Sequence, residues 1–311
     1  MSKTACVFPG QGSQYVGMGK DLFDAFPEAR RVFEEANEIL GFDLAGTCFE
    51  GPEEKLKETR FTQPAIVVHS VAVWSVIKAS GIQPAFVAGH SVGEYSALVA
   101  NGALAFADAL RLVRDRAEAM FSAGLEKPGT MAALIGISEE GLDGLLKEAG
   151  AAGVIAAANY NSPVQVVISG DIAAVEKAME IARGHGAKRA IPLNVSGAFH
   201  SPLMKQAREK LAASLKATAF SDVAMPVVCN VTAEAETAPE AIRSLLERQL
   251  TSPVLWHQSM KYLSDNGVDS VVEVGPGKVL CGLLKRISPD TACVSVSDQD
   301  SIGRFLEGVS A

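Results

Sequence analysis

The stretch Gly89-His90-Ser91-Val92-Gly93 constrains this chain more than any other part of it. A serine between glycines at that spacing suits a sharp turn from a strand into a helix. The small neighbours let the backbone fold tightly, and the hydroxyl projects into open space as a nucleophile. The flanks agree: residues 84–88 (PAFVA) read as a short buried strand, and residues 92–100 (VGEYSALVA) as a helix stopped by Asn101-Gly102.

The rest of the chain frames that turn. Residues 4–8 (TACVF) form an apolar strand that runs into the loop Pro9-Gly10-Gln11-Gly12-Ser13-Gln14. Helical patterns follow around 21–40 and 64–80. Residues 106–123 carry an amphipathic helix with the apolar stripe Phe106, Leu110, Val113, Ala117, Met120 and Phe121. At Lys127-Pro128-Gly129 the pattern changes. Strands at 131–136, 154–158, 165–169 and 188–193 alternate with helices at 139–149 and 171–183, in the βαββαβ order of a ferredoxin-like module. Core-like segments then resume with a helix from Pro202 and strands at 225–230 and 270–274. Gly275-Pro276-Gly277 opens another helix, and residues 294–297 alternate as a short strand. The expected organisation is a core of residues 1–126 and 197–311, interrupted by an inserted module at 127–196.

Composition narrows the class. With 311 residues, 48% hydrophobic and 21% charged, the chain has the balance of a soluble α/β enzyme. A formal net charge of −8, with no basic stripe, argues against nucleic acid as a partner. Cys6, Cys48, Cys229, Cys281 and Cys293 stand singly without CxxC spacing. Neither a disulfide framework nor a metal site is expected, and a reducing compartment is. The start, MSKTACVFPG, lacks targeting character, and the apolar run 65–77 is too short and too interrupted to span a bilayer. A cytoplasmic protein with no membrane partner is expected.

A serine hydroxyl is a weak nucleophile until a base takes its proton, so the turn needs a histidine. His69 lies in an apolar helix, where a structural role is the commoner one. His90 is too close in sequence to reach round to Ser91, His185 lies between glycines, and His257 has no special context. His200, in Gly197-Ala198-Phe199-His200-Ser201-Pro202, sits where the chain re-enters the core and can face a cleft between the two modules. Acyl chemistry also needs donors for a developing oxyanion. Val92 supplies one backbone N–H at the helix start, and the Gly10–Gly12 loop can supply a second. That loop's GxG fragment lacks the spaced glycines of a dinucleotide site.

The blocks PGQGSQ, GHSVGEYSAL, RDRAEAM, NSPVQVVISG, GAFHSPLM and EVGPGKVL occur in this order over nearly the whole chain. Together they resemble the malonyl-CoA:acyl-carrier-protein transacylases, an acyltransferase family of fatty acid and polyketide synthesis. The resemblance implies an α/β-hydrolase-like core with a ferredoxin-like insert. It also implies malonyl-CoA and acyl carrier protein as partners, a CoA thioester as substrate with no bound cofactor, and ping-pong transfer through a malonyl-serine. It places the nucleophile at Ser91, the base at His200 and the oxyanion donors at Gln11 and Val92. Gln249 falls beside the histidine, which in the family is oriented by a main-chain carbonyl and not by an acid. Arg116 matches the family arginine that binds the free carboxylate, and Phe199 and Val92 are compatible with malonyl over methylmalonyl.

Helical spacing alone leaves that arginine open. Arg116 and Arg114 fall about 80° to either side of the apolar stripe, and pairing with Asp115 or Glu118 is the ordinary fate of each. A guanidinium is the right group, because its planar fork matches a carboxylate with two parallel hydrogen bonds. Arg183, Lys188 and Arg189 give three positive charges in an acid-free stretch of the insert. Such a run reads as a solvated edge or as a docking patch for an acidic carrier. Two other functions share the serine turn: an acyl-loading enzyme of a polyketide pathway, and a serine thioesterase or esterase, which would want an acid after Ser91.

Overall fold

The computed structural model describes residues 3–195, 197–223 and 225–310. Ser196, at the expected end of the insert, lies outside the described residues, as do the two ends of the chain at 1–2 and 311. The strands are β1 (Lys3–Phe8), β2 (Phe86–Gly89), β3 (Gly129–Ile135), β4 (Ile155–Ser162), β5 (Gln165–Asp171), β6 (Arg189–Pro192), β7 (Val227–Val228), β8 (Ala235–Glu236), β9 (Val268–Val274) and β10 (Ala292–Val296).

Six of them form one sheet in the order β10-β9-β1-β2-β7-β8. All its pairings are parallel except that of β7 with the edge strand β8. A parallel sheet is covered on both faces, so its strands are apolar on both. Cys6, Phe8, Val87, Val227 and Val272 point into one core, among Ile66, Leu98, Leu110 and Leu211 of four helices. Those helices are Thr59–Ile77, Gly93–Ala100, Phe106–Glu126 and Lys205–Ala217. Ala5, Val7, Ala88, Val228 and Val271 point the other way, onto helices Trp256–Asp265 and Val279–Ile287. Phe8 pairs with Gly89 in register, so the two loops that leave the ends of β1 and β2 emerge side by side.

The second sheet runs β4-β5-β3-β6 with every neighbour antiparallel. The period-two side-chain alternation of β3 divides its burial. Met131 and Ala133 join the main core, while Ala132 and Leu134 pack under helices Glu139–Ala149 and Ile172–Ile181 with Leu145 and Val175. Val254, after the larger sheet's β8, donates to Ala158 O at 2.8 Å and accepts from Tyr160 N at 2.9 Å, stitching β4 to the main body.

The structure departs from the sequence reading in several places. The helix expected from Pro64 begins more than a turn earlier, at Thr59, and carries Pro64 inside it. Burial of nearly the whole helix outweighs the hydrogen bond that the proline cannot make. The strand expected at 225–230 shrinks to Val227–Val228. β4 runs past the strand end expected at 158 to reach Ser162, with register shifts between Ala157 and Asn159 and between Tyr160 and Ser162. Such shifts re-aim side chains, and Asn159 and Asn161 lie in this irregular stretch. Helix Pro239–Gln249 was not anticipated. The expectation of unpaired cysteines is wrong as well. Cys281 and Cys293 form a disulfide, Cα atoms 5.5 Å apart, joining helix Val279–Ile287 to β10. The helix returns over the strand beside it, a proximity that a linear spacing of 12 residues does not signal. Cys6, Cys48 and Cys229 are free and buried.

Candidate active site

Ser91 stands between β2 and helix Gly93–Ala100, as the motif requires. Its backbone is left-handed, φ 53°, and the other strained site residue, His200, has φ 56°. Only one other non-glycine among the described residues, Ala233, has positive φ. Strain of this kind persists where surrounding structure imposes it, and it collects at functional sites. The packing shows what imposes it here. A Cβ on Gly89 would overlap the Gly93 backbone, and one on Gly93 would overlap the Phe8 carbonyl. A Cβ on Gly10 would overlap the His90 carbonyl, so the loop after β1 lies directly against the serine turn. Asn230, just after β7, completes the turn: it accepts from Ser91 N at 2.7 Å and donates to Gly89 O at 2.6 Å.

His200 Nε2 lies 2.8 Å from Ser91 Oγ, and its Nδ1 lies 2.9 Å from the main-chain oxygen of Gln249. A carbonyl can only accept, so Nδ1 carries the proton and Nε2 is left free to accept from the serine. Burial, then the nearby Arg116 charge, push the His200 pKa down to about 3, so the ring is neutral at ordinary pH. The His200 turn is itself pinned by Ser201 Oγ, which donates to Ala198 O at 2.6 Å.

Arg116 is 1% exposed. Its Nη2 donates to Ser91 Oγ at 3.0 Å and to Gln249 Oε1 at 2.9 Å, and its Nη1 donates to Gln63 Oε1. Arg114, its rival by spacing, pairs with Asp115 at 3.1 Å on the surface. Gln249 thus meets both partners of the serine, His200 through its carbonyl and Arg116 through its side chain.

Ser91, His200 and Arg116 line a cavity with Gln11, His90, Val92 and Phe199. Met120, Met131, Asn159, Leu193 and Val195 complete it, so strands β3 and β4 of the four-stranded sheet and the segment after β6 supply part of the wall. The Val92 N–H precedes the first helical turn, where backbone donors have no intrahelical acceptor. Gln11 holds its side chain on Thr59 Oγ1 at 3.3 Å. Arg183, Lys188 and Arg189 are exposed and do not line the cavity, Arg183 just after helix Ile172–Ile181 and the other two at the start of β6. Among the described residues no three metal-ligating side chains gather, and no helix is long and apolar enough to cross a membrane.

The acyl transferase domain family matches residues 5–305. This chain belongs to that family. Within the family, a malonyl CoA-acyl carrier protein transacylase of Bacillus subtilis is 48% identical over 303 residues, covering 97% of this chain and 96% of its own. The Escherichia coli K12 protein of the same name is 45% identical, covering 99% and 100%. A solved acyl carrier protein S-malonyltransferase from Vibrio cholerae superposes with a TM-score of 0.94 at 44% identity, covering 98% of this chain and all of that one. A malonyl-transacylase solved with its type II PKS acyl-carrier protein gives 0.95 at 44% identity, covering 99% and 100%. The family resemblance carried by the six blocks is borne out.

Sequence reasoning passed over four family-site neighbours. Gln63 and Glu94 are buried polar residues, 1% exposed each, on helices that are apolar overall, and a polar side chain in such a helix was the available signal. Asn230 and Asn161 carry none, because each acts across a fold-dependent gap; Asn161 Oδ1 meets His90 Nε2 at 2.9 Å.

Proposed function

We propose that this chain moves a malonyl group from CoA to the phosphopantetheine thiol of an acyl carrier protein through malonyl-Ser91. The observation that carries the reading is one hydroxyl held between a neutral imidazole and a buried guanidinium. His200 Nε2 takes the Ser91 proton as Oγ attacks the thioester carbonyl. The Gln11 and Val92 amides receive the oxyanion, each such donor contributing about 3 kcal/mol. The tetrahedral adduct collapses, the proton passes from His200 to the CoA sulfur, and the carrier thiol then repeats the sequence in reverse. One thioester replaces another, so the exchange draws on no cofactor.

Arg116 takes the malonyl carboxylate. Pairing the guanidinium also removes part of what depresses His200, so the correct acyl group strengthens its own base. Gln249 aligns both, and Phe199 and Val92 bound the acyl slot. A hydrolase would be expected to hold its histidine on a carboxylate; here Nδ1 meets a peptide carbonyl. The six-stranded sheet with its helices, residues 1–126 and 197–311, is read as an α/β-hydrolase-like core, and 127–196 as a ferredoxin-like insert. The strand order β4-β5-β3-β6 supports the second assignment. Fatty acid synthesis is the assigned setting. A polyketide setting is the second reading, favoured by the likeness to a transacylase solved with a type II PKS carrier. Arg183, Lys188 and Arg189 are assigned to carrier docking, about 13 Å of strand from the cavity-lining Leu193.

Intact mass after incubation with malonyl-CoA, then with holo carrier, tests the reading. The expected sequence is a malonyl adduct that Ser91→Ala lacks and that passes to the carrier. Transfer at full rate by Ser91→Ala, or release of free malonate in place of transfer, refutes it.

A further inference from the structure

The resting site contains a charge problem. Arg116 is a buried cation whose hydrogen-bond partners, Gln63, Gln249 and Ser91, are all neutral. Among the described residues no carboxylate lies within ion-pair distance of it. Burying an uncompensated guanidinium is costly, yet a carboxylate placed directly on it would occupy the edge that a malonyl group needs.

Glu94 resolves this at one amide's remove. It lies on helix Gly93–Ala100, three residues after Ser91, and is 1% exposed. Its Oε2 accepts from Gln249 Nε2 at 2.9 Å and from Asn230 N at 3.1 Å. The far end of the same Gln249 amide, Oε1, accepts from Arg116 Nη2. The amide dipole therefore lies along the line from carboxylate to guanidinium, with its N–H toward the anion and its oxygen toward the cation. Gln249 Nε2 also donates to Ser91 O at 3.1 Å, which keeps the amide from turning over. The groups facing Glu94 are Arg116 from helix Phe106–Glu126, Gln249 from helix Pro239–Gln249, Cys229 and Asn230 after β7, and Tyr95 on its own helix. His200 stands beyond Arg116.

Resting on the transfer reading above, we propose that Glu94 is the separated counter-charge of Arg116 and sets how tightly the site holds a malonyl carboxylate. It is a positioning and specificity residue, touching neither acyl group nor thiol. With an anionic Glu94 already balancing the guanidinium through Gln249, an arriving malonyl carboxylate is the second anion in its field and is held less tightly. With a neutral Glu94 the guanidinium is wholly available. Burial raises the Glu94 pKa to about 7, so the change between these states falls within the working range. Malonyl binding is accordingly coupled to proton uptake at Glu94, and acetyl binding is not.

The test compares wild type with Glu94→Gln, which keeps an accepting oxygen and removes the charge. Malonyl- and acetyl-pantetheine avoid the titrating phosphates of CoA. In wild type the ratio of malonyl to acetyl KM rises several-fold from pH 6 to pH 8.5, and in Glu94→Gln it stays flat. At pH 8.5 the variant's malonyl KM falls about tenfold while its acetyl KM holds. A parallel change for both acyl groups, or an unaltered pH slope, overturns the proposal. Should Glu94→Gln be too unstable to assay, Tm values of Glu94→Gln, Arg116→Gln and the double variant decide. The double variant is expected to melt above the sum of the two single losses, and strict additivity overturns the pairing. Failure of wild type to take malonyl on Ser91 would instead strike the transfer reading, so the two failures are distinguishable.

Discussion

On the proposed function, replacing Arg116 with alanine is expected to separate acyl recognition from acyl chemistry. A carboxylate on the guanidinium gains two charge-assisted hydrogen bonds, together about 3 to 6 kcal/mol. Nη2 gives up its 3.0 Å bond to Ser91 Oγ in the exchange, an offset of about 1.5 kcal/mol for a bond from a charged donor. The net is about 1.5 to 4.5 kcal/mol, or roughly a 10- to 2000-fold fall in kcat/KM for malonyl-CoA. Acetyl-CoA makes none of these contacts. It feels only the loosening of Gln63 and Gln249, whose Oε1 atoms lose their donor, and is expected to fall less than about tenfold. Steady-state transfer with both substrates, using the ratio of the two losses as the readout, cancels any shared structural damage. Equal losses would remove Arg116 from acyl choice and with it the reason for placing a cation beside the nucleophile.

Asn230→Ala strands the Ser91 N–H and the Gly89 carbonyl; a loss of about 2 to 4 kcal/mol in thermal unfolding and a slower kcat for malonyl and acetyl alike are expected, and wild-type activity would contradict its role in shaping the turn. His69 is buried and its pKa is lowered to about 4 from 6.5. The unfolded chain therefore binds the extra proton first, and stability is lost as pH falls from about 6.5 toward 4. His69→Leu should flatten the dependence of Tm on pH across that window, and an unchanged slope would show that this histidine is not held neutral. Thiol titration without reductant should find no reactive cysteine in native protein and three after denaturation; five would exclude the Cys281–Cys293 bond.

The sequence carried local features well and distant ones poorly. The serine turn and the strands and helices from β3 to β6 were legible because each is written in adjacent residues: glycine spacing, alternating apolar positions, a change of pattern at Lys127-Pro128-Gly129. Choosing Arg116 over Arg114 needed the family resemblance, since a helix face says which side is apolar and not which cavity it meets. Gln249 came from the same source, on a helix that periodicity had not revealed. Asn230 and Glu94 escaped because their work is to satisfy backbone and amide groups that the folded chain alone brings together. The disulfide escaped for the same reason, as a contact between a helix and a strand.

The conformation of Ser91 is not a local property. Ser91 N reaches across 139 residues to Asn230, and Ser91 O across 158 to Gln249. During synthesis the serine emerges long before either of them, and before the imidazole that would activate it. On the proposed mechanism, the nascent chain is therefore expected to stay chemically silent toward thioesters until its last third has docked.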